Sequence, residues 1–413
     1  MKSNVLIISD SIYKNRDIGK YSYNLTKLLV ENDYNVYYII CTARVQDLDE
    51  QYSLISCDDL EMFHKDLEFC DKDDYNKYFS KVKYIVSGNK NEFFDNNITE
   101  DIVKKYEIKL VIYIASFVIS INVGKLSVPI IMNYKLDYIP ISDKYKQIIN
   151  NVTAFVSNSQ IGDQLYQKLD KTHLNIKIPI NFYELDKCLI DIFWKRSRIR
   201  KLFNIEDDTI VFFIDIDAEN FYEVENRCFD LMISLFHNYL NNVNSNAILI
   251  INTKDIECIR TILNYEKIPK EKCRVYLDYY TNNTCIKVRN IIYEFMIASD
   301  IFLALYGNAE YHTNIIEAQY LGLAVFLNNF SSAEEILYNG MINYETQDVY
   351  LATEVQSYIK VPKIDDCLII LTEFIKREKY KTTSKQKRKI RRQIKRDYEN
   401  KFNEQWISLL DGF

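Results

Sequence analysis

Asp300-Ile301-Phe302-Leu303-Ala304-Leu305 is followed, after a loop containing Glu310, by Asn314-Ile315-Ile316-Glu317-Ala318-Gln319-Tyr320-Leu321-Gly322-Leu323-Ala324-Val325-Phe326. The order reads strand, loop, helix, glycine, strand. The unbroken apolar run Ile301–Leu305 suits a parallel strand covered on both faces, and Ile315, Ile316, Ala318 and Leu321 recur at helical spacing around one carboxylate, Glu317. Gly322 ends the helix and Val325 opens the next strand. In such a βαβ unit the helix begins at the carboxyl edge of the sheet. There its free N–H groups and its dipole favour a phosphate, and a glutamate one turn in can reach a sugar hydroxyl of the same ligand.

Outward from this unit the alternation continues in both directions. Upstream, candidate strands are Val5–Ser9, Val36–Ile40, Lys83–Val86, Leu110–Ile114, Pro129–Met132, Ala154–Val156 and Ile176–Pro179, with a helix from Ser22 to Asn32 whose apolar face is Leu25, Leu28 and Leu29. The loop Ser9–Lys20 ahead of that helix has Gly19 as its only glycine. Phosphate or sugar can approach the backbone there, and a helix-entry turn is the other reading. From Asn181 to Lys201 the periodicity loosens into a polar stretch with Trp194 and a basic run. A second series then follows, Ile210–Ile216, Ala247–Ile251, Val275–Leu277, Ile301–Leu305 and Ala324–Leu327. The pattern predicts an α/β protein of two doubly wound, Rossmann-like domains facing across a cleft, residues 1–190 and 191–385, with a C-terminal portion 386–413.

Composition narrows the function. A chain of 413 residues with 48% apolar and 27% charged residues can bury more than one core. Nine cysteines without a Cys-x-x-Cys pair argue against a disulfide framework or a structural zinc, and four scattered histidines against a histidine metal centre, so no metal ligand is assigned. The longest apolar run, Leu110 to Val123, is too short and too interrupted to span a bilayer, and the N-terminus enters a strand without a signal-peptide core. The expected location is the cytoplasm. Tyrosine, at 33 residues, travels with abundant Lys, Asn and Ile, the mark of an AT-rich coding bias rather than of base stacking. Only eight glycines are present where average usage of about 7% implies roughly 29, so any glycine-rich phosphate loop is minimal. Lys376 to Arg396 holds twelve Lys or Arg against one Glu in a chain of net charge −6. That segment reads as a solvated basic helix or as a contact for an acidic surface, an anionic membrane before a nucleic acid.

Ala298-Ser299-Asp300, Asn314-Ile315-Ile316-Glu317-Ala318-Gln319 and Gly322-Leu323-Ala324-Val325 resemble the donor-binding motifs of glycosyltransferase family 4, retaining nucleotide-sugar transferases of the GT-B fold. The resemblance covers nearly the whole chain, with specific motifs in parts of it. It implies that Glu317 binds the ribose hydroxyls of the donor and that Glu310, in Glu310-Tyr311-His312-Thr313-Asn314, meets the donor sugar, once one loop residue is deleted relative to the family pattern. Phe212 to Asp217, followed by Asn226 to Phe236, resembles the strand and helix that open the family's second domain. Arg227 stands there for a phosphate-binding lysine, while Asn226 replaces its arginine neighbour. In Pro129 to Pro140 the family's histidine is missing and Lys135 lies near its place. Asn151 to Ser159 resembles a strand ending in a helix-starting serine, and Tyr398 to Leu410, with Trp406 as packing anchor, resembles a closing helix that crosses back onto the first domain.

What the resemblance implies is transfer of a hexose from a UDP- or GDP-sugar to a hydroxyl of a glycan, lipid-linked or protein acceptor, with retention and without a metal or other cofactor. Glu310 and Arg227 would serve the reaction, and Glu317, Thr313, Asn314, Gly19 and Lys135 would hold the donor. Stabilisation of the departing diphosphate is the chemical demand, and helix N–H groups near Thr313 and Asn314 together with Arg227 would meet it. The lost histidine, the lost second cation and the scarce glycines keep open a second reading, a GT-B module that binds a partner or glycan without turnover. A nucleotide-sugar epimerase on the same fold would need more acid and base groups than His312 supplies.

Overall fold

The computed structural model describes residues 3–9, 17–44, 52–55, 72–87, 96–115, 124–134, 150–167, 172–216, 228–253, 256–277, 285–306, 312–330, 332–351, 357–399 and 401–413. The first sheet is built from β1 (Asn4–Ser9), β2 (Asn35–Arg44), β3 (Tyr52–Ile55), β4 (Lys83–Ser87), β5 (Ile108–Ala115), β6 (Ile130–Tyr134), β7 (Ala154–Ser157) and β8 (Thr172–Asn175). Helices α1 (Asp17–Glu31), α2 (Lys72–Lys77), α3 (Asn96–Lys105) and α4 (Gln160–Gln167) connect them. Strand order is β3-β4-β2-β1-β5-β6-β7-β8, parallel except for β3 against β4. In β1 the period of two separates the faces cleanly. Val5 and Ile7 join the cluster that contains Tyr21, Leu25, Leu28 and Leu29 of α1, whereas Leu6 and Ile8 join Ile98, Ile102 and Val103 of α3. Both faces are covered, which is why the strand reads as continuously apolar.

After α5 (Phe182–Leu189) and α6 (Ile192–Leu202) comes the second sheet. It comprises β9 (Ile210–Ile216), β10 (Ala247–Thr253), β11 (Cys273–Leu277), β12 (Ile301–Ala304), β13 (Ala324–Asn328) and β14 (Gly340–Asn343), with helices α7 (Phe229–Asn242), α8 (Ile256–Tyr265), α9 (Cys285–Ala298), α10 (Thr313–Leu321) and α11 (Ala333–Ile336) between them. Its order, β11-β10-β9-β12-β13-β14, is parallel throughout and reverses between β9 and β12. A hairpin, β15 (Thr346–Leu351) against β16 (Ser357–Pro362), then leads into α12 (Ile364–Lys376), α13 (Ser384–Tyr398) and α14 (Lys401–Leu410). The last helix returns to the first sheet's side: fully buried Trp406 donates its indole N–H to Tyr21 Oη at 2.9 Å, and Phe402 packs edge-on against the Tyr21 ring. One continuous apolar cluster joins the two halves.

Several expectations change. The eighth strand is Thr172–Asn175 and not Ile176–Pro179, since Pro179 has no N–H to give a ladder and the pairing with β7 is complete at Asn175. The stretch Asn181–Lys201, read as a polar stretch of loosened periodicity, forms α5 and α6. Its helical period was hidden because the inward face of α6 carries arginines. Arg196 and Arg200 reach the Asp300 carboxylate at 2.6 and 2.7 Å and also bond the backbone carbonyls of Ile297, Ser299 and Ala298. Asp300 takes a further hydrogen bond from the Val211 N–H. It is thus a structural staple at the amino end of β12, away from the carboxyl edge. Burial holds Arg200 below the usual arginine range even though Asp300 opposes the shift. Among the described residues no helix is long and apolar enough to cross a membrane.

Two glycines are set by geometry. Gly322 caps α10 at φ +107°, its N–H bonded to the carbonyls of Ala318 and Gln319. Gly340 sits at φ +144° where β14 joins β13, and a Cβ there would lie 1.9 Å from the Val325 carbonyl oxygen. Gly340→Ala must therefore push two paired strands apart and is expected to cost at least about 3 kcal/mol, against about 1 kcal/mol for Gly322→Ala. Urea unfolding of the two variants checks the order, and equal losses would contradict this account.

Candidate functional site

The reversal of strand order between β9 and β12 leaves a crevice at the carboxyl edge of the second sheet, where open α/β sheets take their ligands. Helix α10 starts there. It is buried nearly all round, so its packing is fixed by Ile315, Ile316, Ala318 and Leu321, and by Gln319. The Gln319 amide donates to the Ile315 and Ile336 carbonyls and accepts from the Tyr338 and Asn339 N–H groups. Gln319 is therefore a framework residue, and the face of α10 that carries Thr313 and, four residues on, Glu317 is left to polar work.

That face is met from the other half of the molecule. Lys20 of α1 donates from Nζ to Thr313 Oγ1 at 2.6 Å and to Glu317 Oε1 at 2.8 Å, and all three side chains are buried. A cation at a helix start opposes the helix dipole. The Glu317 carboxylate, one turn further on, is what makes the position tenable. The pair spans 297 residues of sequence and has no local signature, which is why Lys20 escapes a reading by motif. Gly19 lies beside it, not in a loop but in the first turn of α1, because that helix begins at Asp17 and not at Ser22.

A second group closes the opposite side of the helix start. Asp215, near the end of β9, accepts from the Asn252 amide at 2.7 Å and from the Asn314 amide at 3.0 Å. The carboxylate fixes both amides with nitrogen inward, and among the described residues their oxygens have no hydrogen-bond partner. Tyr306 donates its hydroxyl to the Asp215 carbonyl and lays its ring 4.3 Å from that of His312, the residue before α10. Asp215 and Tyr306 were not singled out by the sequence. A carboxylate closing an otherwise apolar strand was the available signal.

Of the expected site residues, Thr313, Asn314 and Glu317 come together on the first turns of α10, where Lys20 of α1 meets Thr313 and Glu317; Gly19 is the residue before that lysine. Glu310, Arg227 and Lys135 lie outside the described residues. Among the described residues no group of three His, Cys, Asp or Glu side chains could hold a metal ion.

No family model and no curated protein matches the chain. Solved structures do. Sucrose-phosphate synthase from Thermosynechococcus elongatus superposes with a TM-score of 0.65 at 10% identity, covering 100% of this chain and 99% of its own. For α,α-trehalose 6-phosphate synthase from Burkholderia multivorans the TM-score is 0.66 at 8% identity, over 100% and 97% of the two chains. The catalytic domain of starch synthase IV from Arabidopsis thaliana, bound to ADP and acarbose, gives 0.57 at 11% identity over 99% of both. These neighbours are GT-B glycosyltransferases, and the chain has the GT-B fold.

The buried pair yields a stability prediction. Lys20→Met removes the ammonium bonded to the buried Glu317 carboxylate and is expected to cost about 3–5 kcal/mol, whereas Lys20→Met with Glu317→Leu should lose much less than the sum of the single changes. Urea unfolding of the full cycle measures the coupling, and simple additivity would mean that the ion pair carries no net interaction.

Proposed function

We propose that this protein is a glycosyltransferase, a divergent relative of family 4, that moves a hexose with retention from a UDP- or GDP-sugar to a hydroxyl of a glycan, lipid-linked or protein acceptor. The observation that carries this reading is the buried Thr313–Glu317 face of α10, set at the switch-point crevice and met across the cleft by a lysine of α1. Each part fits one portion of a nucleotide sugar. The α10 start offers N–H groups and dipole to the diphosphate, Glu317 suits a ribose diol, and Lys20 supplies a cation that this chain's motifs lack elsewhere. Two of the structural neighbours bear on the donor class: the Arabidopsis starch synthase domain is bound to ADP, and the E. coli trehalose-6-phosphate protein is bound with UDP-2-fluoro glucose. In this reading the first-sheet half presents the acceptor, Arg227 adds charge at the diphosphate, and Glu310 meets the donor sugar. Residues 1–190 form the acceptor-side domain, 191–385 the donor-binding domain and 386–413 the closing segment. No metal is required, because helix N–H groups and side-chain cations take the leaving-group charge.

A second reading, a GT-B module that binds without turnover, is favoured by two specific observations. The Glu317 carboxylate is already paired with Lys20, and the Asp215 carboxylate, holding Asn314, stands where a diphosphate would come to rest. Under the first reading Lys20 passes from Glu317 to the diphosphate when the donor arrives. Under the second it occludes Glu317.

Calorimetric titration of the full chain with UDP, GDP and ADP, well below the unfolding temperature, separates these. A transferase site binds at least one of the three, Glu317→Ala weakens it by about 10–100-fold, and Lys20→Met weakens it as well. Tighter binding by Lys20→Met supports the occluded module, and no binding by any nucleotide sinks the transferase reading.

A further inference from the structure

Helix α6 is built inside out. Its inward side carries Arg196 and Arg200, committed to Asp300. Its outward side is the row 193, 194, 197, 198, 201, 202, that is Phe193, Trp194, Ser197, Arg198, Lys201 and Leu202. Phe193 is 81% exposed, Leu202 71% and Trp194 62%. No acidic residue lies in that row, and Arg198 stacks over the Trp194 ring at 4.9 Å. Ile190 in the preceding turn and Tyr183 on α5 extend the apolar surface, the latter under the Lys187 ammonium at 4.0 Å. The neighbouring acids are occupied or off the row. Glu184 pairs with Lys187, Glu294 with Arg198 and Asp186 with Lys395, while Asp191, at the N-cap position of α6 without a side-chain capping bond, lies outside the row.

The basic helix α13 packs against α10. Its eight Lys and Arg residues are not spread evenly once the helix is docked. Lys387, Arg391 and Lys395 turn inward, where Lys387 packs its stem over Gly322, Arg391 donates to the Tyr320 carbonyl and Lys395 pairs with Asp186 of α5. Burial, and then the charge of Arg196 on α6, keep Lys387 below the usual lysine range. Lys385, Arg388, Lys389, Arg392 and Arg396 are left on the solvent side of α13.

We propose that the outward faces of α6 and α13 form one docking surface for an anionic lipid bilayer, with Phe193, Trp194 and Leu202 entering the headgroup–acyl boundary and the α13 cations resting on the lipid phosphates. Charge complementarity selects an acidic partner, and the apolar row selects among acidic partners. Nucleic acid offers bases for Trp194 and Phe193 to stack on but no apolar phase for Leu202 and Ile190. A bilayer surface accommodates both, with Trp and Tyr at headgroup level.

Co-sedimentation of the full chain with phosphatidylcholine–phosphatidylglycerol vesicles, against pure phosphatidylcholine vesicles, tests this. The anionic vesicles should bind the protein and release it as salt is raised. Lys385→Glu/Lys389→Glu/Arg392→Glu should weaken that binding by about 100-fold, and Phe193→Ser/Trp194→Ser/Leu202→Ser by at least about 10-fold. All six side chains are exposed, so both variants should keep the parent's thermal unfolding. The chain's two tryptophans give an independent readout, since Trp406 is buried and Trp194 exposed. Vesicles should shield only the exposed indole from iodide quenching. No preference for anionic vesicles, binding that survives both sets of substitutions, or capture of duplex DNA or RNA in place of vesicles would overturn the proposal.

Discussion

The contact on which the candidate site turns is one ammonium group between two helices that belong to different sheets. Lys20 reaches from α1 to the start of α10 and finds Thr313 and Glu317 there, out of water. A buried ion pair is worth little as net stability, yet removing one partner is expensive, so it constrains position more than it adds binding. Because Tyr21, the residue after the lysine, is gripped by Trp406 and Phe402 of the returning C-terminal helix, the lysine is aimed by that packing as well. The relation between the two halves is thus fixed at the crevice by charge and at the back by aromatic contact. Glu335 adds a further tie, bonding the Gln160 N–H and Lys177 from the second half.

This arrangement gives physical content to the tension between the two functional readings. A nucleotide sugar needs a cation for its diphosphate and an acceptor for its ribose hydroxyls, and the closed pair holds one of each, bonded to the other. Such a site is self-complementary in the absence of ligand. Whether a ligand can replace the internal contact depends on what it brings. A diphosphate offers Lys20 more negative charge than one carboxylate, and a ribose diol offers Glu317 two donors. Against this stands Asp215, whose carboxylate is held at the same helix start by two amides and contributes repulsion for any anion.

Much of the fold was legible in the sequence, because strands buried on both faces and amphipathic helices leave different periods. The βαβ unit from Ile301 to Phe326, the second-sheet strands and most first-sheet strands occur where the pattern puts them. The departures share a cause. Helix α6 was invisible to hydrophobic periodicity because its inward face is held by guanidinium groups on Asp300 and backbone carbonyls. Helix α1 begins earlier than its apolar face suggests, because its first turn serves a polar contact. In the candidate site, Thr313, Asn314 and Glu317 were readable as a local motif on one helix, whereas Lys20 and Asp215 were not, since their roles exist only through partners far along the chain.

By itself the sequence determined the class of architecture, two runs of β and α alternation, and the helix whose start is suited to an anion. These follow from local rules of period, capping and burial that act over a few residues. Only the tertiary structure decided which charge faces that helix, which cations of the basic segment turn inward and which remain outside, and that Phe193, Trp194 and Leu202 face solvent while Arg196 and Arg200 turn onto Asp300. Those outcomes depend on pairings across roughly a hundred to three hundred residues, and the free energy of a charge is set by what surrounds it in space rather than by its neighbours in sequence.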